Sequence, residues 1–224
     1  MRNKFITVIA VLLGVSSYAQ YKSKARVSID LGYGYRTASI SNVPVELEDY
    51  ADELKSGFNI DTHINYFIKP SWGLGATYSR FQSDNAITFA SPTTIEGIET
   101  RSTSDDIRIN FIAPEFLYRS FLGNEKHSFI STISIGYLAF KNESKINGTA
   151  IDITGGTVGF GFGLLYDYHI TPFIAIGAGV NFIAGSLSKL ELSNGAQSQT
   201  IDLPDDQREN LSRITINAGL RFYL

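Results

Sequence analysis

The sequence predicts an all-β chain: an eight-stranded, antiparallel, up-and-down transmembrane β-barrel. Three observations predict it. Apolar residues recur at every second position through eight segments, which is the period of a strand. Those segments run to about twice the usual strand of five or six residues, a length that suits a strand crossing a bilayer with extensions. The connections alternate between short and long from the first to the last, and barrels in membranes pair tight turns at one end with longer loops at the other.

The elements follow in order. Residues 1–19 read as a signal peptide and residues 20–224 as the barrel. Arg2 and Lys4 give a positive start, Phe5 to Val15 an apolar stretch, and Ser17-Tyr18-Ala19 the small residues before a cut between Ala19 and Gln20. The apolar stretch is too short for a spanning helix, which needs about 20 apolar residues. Strands are predicted over 25–37, 56–69, 72–84, 106–121, 127–141, 154–170, 173–188 and 209–224. The clearest alternation is Val158, Phe160, Phe162, Leu164, Tyr166, Tyr168 against Gly159, Gly161, Gly163, Leu165 and Asp167. In the fourth segment Ile107, Ile109 and Phe111 share one face, whereas Phe116 and Tyr118 are apolar at even positions. A bulge at Pro114 is predicted to reconcile them, because proline cannot donate to a ladder.

Lys69-Pro70-Ser71, Leu122 to Lys126 and Thr171-Pro172 are the tight turns. Residues 38–55, 85–105, 142–153 and 189–208 read as long polar loops. One face of the strands is nearly all apolar and is assigned to lipid. The other carries Gly, Ser, Thr, Asn and charges. A soluble barrel would show the inverse arrangement. Two aromatic belts are expected at the membrane interfaces: Trp72, Phe121, Phe129, Tyr168, Phe173 and Phe222 near the short turns, and Tyr35, Phe58, Tyr78, Tyr137 and Phe182 toward the long loops.

Composition narrows the function. Without cysteine there are no disulfides, no thiolate metal sites and no lipidated N-terminal cysteine. Residues 1–19 hold two basic residues and no acidic one, so the remainder carries 17 Lys and Arg against 22 Asp and Glu, a poor match to nucleic acid. The inward face is predicted to hold a network of charges: Arg26, Asp30, Arg36, Asp61, Arg108, Glu115, Arg119, Asp167, Arg213 and Arg221. Such charges could select ions. An eight-stranded barrel, however, is only wide enough inside for side chains, so the favoured reading is that they pair and fill the interior. The glycine cluster at 155, 156, 159, 161 and 163 lacks the strand-to-helix context of a phosphate loop. It is read instead as room for long side chains from opposite strands.

The alternating strands, the Ala19-Gln20 site, Trp72-Gly73-Leu74-Gly75-Ala76-Thr77-Tyr78, Ile107 to Tyr118 with its Pro114, and the closing strand Ile216 to Leu224 together resemble the small outer-membrane barrels of the OmpA/OmpX type. More narrowly they resemble the "outer membrane protein beta-barrel domain" proteins of Bacteroidota. The likeness spans residues 20–224. It departs at the last residue, because many such barrels end in an aromatic and this chain ends in Leu224. It implies a bacterial outer-membrane location and recognition of the C-terminal strand by the barrel-insertion machinery, while eight strands joined by short periplasmic turns put both termini on the periplasmic side.

Lipid and lipopolysaccharide are the expected surroundings, and no cofactor is expected. The acidic loops, with Glu46, Glu48, Asp49, Asp52 and Glu53 in one and Glu191, Asp202, Asp205 and Asp206 in another, could bridge divalent cations to lipopolysaccharide. Solvation is the simpler reading. Some barrels of this size modify lipid A with a serine, a histidine and an acid near the outer rim. Here His127 and His169 sit beside short turns and His63 is mid-strand, so no catalytic set and no metal set is assigned. The expected role is a non-enzymatic barrel displaying external loops, in envelope integrity or surface interaction. A narrow, porin-like channel is the second reading and a lipid A-modifying enzyme the third.

Overall fold

The computed structural model describes residues 23–37, 47–93, 97–122 and 126–224. The signal peptide expected over residues 1–19 lies outside them. Twelve strands are described: β1 (Ala25–Arg36), β2 (Ser56–Lys69), β3 (Trp72–Thr93), β4 (Gly97–Leu122), β5 (His127–Ile146), β6 (Thr149–His169), β7 (Ile174–Ala184), β8 (Ser186–Leu187), β9 (Lys189–Ser193), β10 (Ser198–Asp202), β11 (Glu209–Asn210) and β12 (Arg213–Tyr223). A short helix, α1 (Glu48–Glu53), precedes β2.

Each of β1 to β7 pairs antiparallel with its sequence neighbour, β7 pairs with β12, and β12 pairs with β1. Eight strands thus form a closed ring, and the ring has no edge. Closure satisfies the backbone polar groups where water is absent, the condition any structure in hydrocarbon must meet.

Side chains alternate strictly between the two faces. The outward rows are apolar and open: Ile64, Ile112, Ile133, Val158 and Ile216 all keep more than half of their surface exposed. In water such a belt would be an aggregation hazard, whereas in a bilayer it is the contact surface.

Two expectations are corrected here. The fourth strand has no bulge at Pro114. Its register with β3 and with β5 is the same before and after that residue, and every odd position from Ile107 to Arg119 points inward. Pro114 faces outward opposite Ala76, and the β4–β5 pairs merely lapse at Ala113 and Pro114. The register shift in the barrel lies instead between Phe67 and Lys69, beside a tight turn.

The second correction concerns the long loops, much of which is sheet. β3 and β4 stay paired as far as Thr93↔Gly97, and β5 and β6 as far as Ile146↔Thr149. The β5–β6 turn is Asn147-Gly148, with φ of 49° and 81°. Asparagine and glycine tolerate this left-handed region, which a two-residue hairpin turn demands. In 189–208, β9 and β10 form a hairpin that joins the edge of β6 at Asp152–Thr154. β6 pairs β7 only from Phe160 to His169, so residues 155–159 have no ladder partner on that side. Of the first loop, α1 is described, while residues 38–46 lie outside the described region.

Candidate functional site

The barrel interior is filled in tiers, and the inward residue types of the strands decide what each tier holds. At the short-turn end Phe67, Leu117, Ile130, Leu165, Ala175 and Tyr223 make a small apolar cluster. Arg119 lies among them with its guanidinium 3.5 Å from the centre of the Phe67 ring and 4.7 Å from that of Phe121, and its Nε donates to the Pro70 carbonyl. Two aromatic faces and a carbonyl replace part of the hydration that the cation gives up.

Above this comes an ionic tier centred on Asp167. That carboxylate accepts from Arg26 Nε at 2.8 Å and Nη2 at 3.1 Å, from Arg221 Nε at 2.8 Å, and from the Tyr223 hydroxyl. Arg221 also meets Asp30. Arg26 reaches on to Asn65 Oδ1 at 3.1 Å, Asn65 Nδ2 donates to Glu115, and His63 Nδ1 lies 3.0 Å from the same carboxylate. These contacts connect β1, β2, β4, β6 and β12 through the middle of the ring.

The next tier is a knot of amides around Asp61, which accepts from the Nδ2 groups of Asn59, Asn181 and Asn217. Arg213, fully buried, donates to Ser79 Oγ at 3.0 Å. Between the amide and ionic tiers, Asp61, His63, Glu115 and Asn181 help to line a cavity of about 20 Å³. That is room for about one water molecule.

The long-loop half of the interior is apolar. Phe81, Ile107, Ile109, Phe111, Leu138, Phe140, Ile183, Leu187 and Leu211 pack into one cluster, and Tyr50 and Leu54 from the α1 region close it from above. The lid is held by polar contacts: the Tyr50 hydroxyl donates to Asp105, and Asn85 Nδ2 donates to the Tyr50 carbonyl and to Glu53. Burial, together with the Asp105 carboxylate that accepts its proton, pushes the Tyr50 phenol above the ordinary tyrosine range.

Of the ten charges expected inside, nine are buried there: Arg26, Asp30, Arg36, Asp61, Glu115, Arg119, Asp167, Arg213 and Arg221. Arg36 sits at the rim of the long-loop end, where it pairs with Glu209 and the Asn210 carbonyl. The four arginines below it are matched in number by the four buried carboxylates. The tenth charge is a correction. Arg108 points outward, with Asp106 and Glu143 as its partners on the outer face of β4 and β5. The same parity corrects Phe121, which faces inward against Arg119 rather than toward lipid. Tyr35, Phe58, Tyr78, Phe129, Tyr137, Tyr168, Phe173 and Phe222 are exposed on the outer face, and Trp72 is half-buried against Phe116.

The apolar upper tier was missed by sequence reasoning. The signal was present in the odd-numbered run from Ile107 to Phe111, next to the even-numbered Arg108 and Asn110. The structure also brings one serine and one histidine together: Ser128 Oγ is 3.4 Å from His169 Nε2 at the short-turn end. Ser128 is fully buried, so no substrate reaches it. His127 bonds the Tyr166 hydroxyl on the outer face.

A closed eight-strand ring with an apolar outer belt and a polar, side-chain-filled interior defines a small outer-membrane β-barrel. The chain belongs to the outer membrane protein β-barrel domain family, whose profile matches residues 7–222. No curated protein sequence matches it.

Among solved structures, a major outer membrane protein of Thermus thermophilus is similar over 89% of this chain and 99% of its own, with 11% identity and a TM-score of 0.54. The outer membrane protease OmpT of Escherichia coli is similar over 93% and 99%, with 10% identity and a TM-score of 0.50. Neisserial surface protein A is similar over 89% and 97%, with 16% identity and a TM-score of 0.49. At these identities the likeness concerns the fold alone.

Proposed function

We propose that the protein is a non-enzymatic outer-membrane barrel with a closed interior, which anchors a crown of β-hairpins at the cell surface for envelope integrity or surface interaction. The observation that carries this reading is the tiered filling of the interior, from Arg119 between two aromatic rings to Tyr50 in the lid. An interior of this width is taken up by side chains of that length. Opening a path would strand buried charges at a cost of several kcal/mol. The even strand number puts both ends of the ring on the short-turn side, which this reading assigns to the periplasm. The hairpins of β3–β4, β5–β6 and β9–β10 then face outward among lipopolysaccharide. β12, with Phe222 and Tyr223, is the segment offered to the insertion machinery.

The test is conductance of the purified barrel in planar bilayers. The expected result is no stable, ohmic opening. Steady ion-selective openings would overturn the closed interior and favour a narrow channel, with Arg213 and Arg221 recast as anion-attracting residues.

A further inference from the structure

Where β6 loses its ladder partner, the returning chain turns into the mouth. Leu187 is fully buried there and comes close to Gly155. Outside the wall at this point lies a cleft of about 470 Å³ between β5–β6 and the β9–β10 hairpin. Its size falls within the range of small-molecule sites. One side is flat and apolar: Tyr137 leans across Gly156, whose missing side chain leaves the hydroxyl of that tyrosine lying against the backbone. Gly156 and its cross-strand partner Ala139 continue the floor.

The other side is polar and ordered. Thr154, Glu191 and Thr200 are successive cross-strand partners over β6, β9 and β10, so a hydroxyl, a carboxylate and a hydroxyl stand in one row. Lys189 lies two residues from Glu191 on the same strand face, with Asp202 as its salt-bridge partner at 3.0 Å.

The chemistry of this lining selects its ligand. One amine and one carboxylate line it, Lys189 paired to Asp202 and Glu191 accepting from Ser198 Oγ, a balance that favours neither a strong anion nor a strong cation. A flat apolar side facing a row of donors and acceptors fits a ring with one apolar face and hydroxyls around its rim, which is a saccharide. Position selects the source. Tyr137 belongs to the aromatic row where the apolar belt ends. Below Gly156 on the same strand face, Val158, Phe160 and Phe162 are open to hydrocarbon. An amphiphile whose chain lies along those three residues places its headgroup in the cleft.

We propose that this cleft binds the sugar headgroup of a glycolipid in the outer leaflet. The proposal rests on the outward orientation of the hairpins given above.

The experiment measures retention of a diglucosyl diacylglycerol, an uncharged glycolipid, by native mass spectrometry, with amide exchange mapping where it sits. Wild type is expected to keep one glycolipid and to gain protection across β9 and β10. Ala139→Trp, which fills the floor from an outward position, is expected to bind roughly tenfold more weakly. Glu191→Gln with Thr200→Val should weaken binding in the same direction without filling anything. Ala86→Trp, outward on β3 and away from the cleft, is the control and should bind as wild type does.

Equal retention in Ala139→Trp and Ala86→Trp overturns the proposal, as does equal protection by phosphatidylethanolamine. Protection by the free diglucose headgroup at matched concentration overturns the membrane source and assigns the cleft to a soluble glycan. A conducting barrel would sink the closed-interior reading and leave the cleft standing, since the cleft lies outside the wall. Inverted orientation in the protease experiment below would remove both the surface reading and the glycolipid.

Discussion

Arg26 on β1 and Asp167 on β6 meet through the barrel interior in a forked pair, with both carboxylate oxygens engaged by one guanidinium at 2.8 and 3.1 Å. Neither residue has any exposed surface. Asp167→Ala is therefore expected to destabilise the barrel by about 3–5 kcal/mol, the usual result of leaving a buried partner uncompensated. Here Arg26 loses its carboxylate and Arg221 loses one of its two. The double change Arg26→Met with Asp167→Leu should recover much of that loss, because no buried charge of the pair remains. Denaturant titration of folding into lipid vesicles reads both. A double variant as unstable as Asp167→Ala would count against the pairing account.

The belt gives a second prediction. Ile216 keeps 66% of its surface exposed and has Val180 and Tyr33 as cross-strand neighbours. Ala150, exposed on the outer face of β6 and opposite Lys145, sits next to the β5–β6 turn, beyond the aromatic row. Ile216→Arg should cost about 2–4 kcal/mol of stability in vesicles and Ala150→Arg close to none, because the penalty for a cation on the lipid face depends on depth. Equal losses would show that the belt is placed at the wrong height.

The lid gives a third. Tyr50→Phe removes the donor to Asp105, and a hydrogen bond to a charged acceptor contributes about 1.5–3 kcal/mol. Amide exchange should accelerate by roughly tenfold or more at Arg36, whose N–H donates to the Lys55 carbonyl, and at Leu54. The raised phenol adds a pH dependence. Lid docking is fully present below the free tyrosine value of about 10 and is lost as pH rises through the higher, docked value. Wild type should thus hold the slow exchange regime at pH 10. A lid that opens there at the free tyrosine value is the contrary result.

Orientation is tested with trypsin on intact cells. Arg208, at the end of the hairpin crown, has 46% of its side chain exposed and is expected to be cut. The bond after Lys126, in a tight turn, should survive until the envelope is opened. Exposed loop tips are the usual sites of nicking. Early cleavage at Lys126 would invert the barrel.

The eight strands were legible because lipid imposes a strict rule on one face, and Val158 to Tyr168 obey it without exception. The rule fails toward the long-loop end. There Ile107, Ile109 and Phe111 turn inward to build the apolar tier, while Arg108 and Asn110 face outward. Treating apolar as outward along the whole strand therefore called for a bulge that β4 does not contain, and it put Arg108 inside. The charge network was legible elsewhere because a charge within a membrane strand has only the interior to face. The lid was not legible, since Tyr50 and Leu54 sit in an acidic stretch whose composition reads as solvated. The extent of the hairpins was missed because polarity was taken for irregularity. Asn147-Gly148, a strong hairpin turn signal, stood in the middle of one supposed loop.

The seam between β1 and β12 sets the order of assembly. It joins Arg26 to Tyr223, residues from opposite ends of the described chain, and no shorter connection can substitute for it. Every hairpin from β2 to β7 can form from neighbours in sequence, but the ring is unfinished until that last ladder zips. Arg26 reaches Asp167, and Arg221 reaches Asp30, only once it has done so. Contacts between such distant residues are slow to form, and until they form the ionic tier lacks its counter-charges. Assembly is therefore expected to pass through a long-lived open sheet, and the closing of this one seam is expected to set its rate.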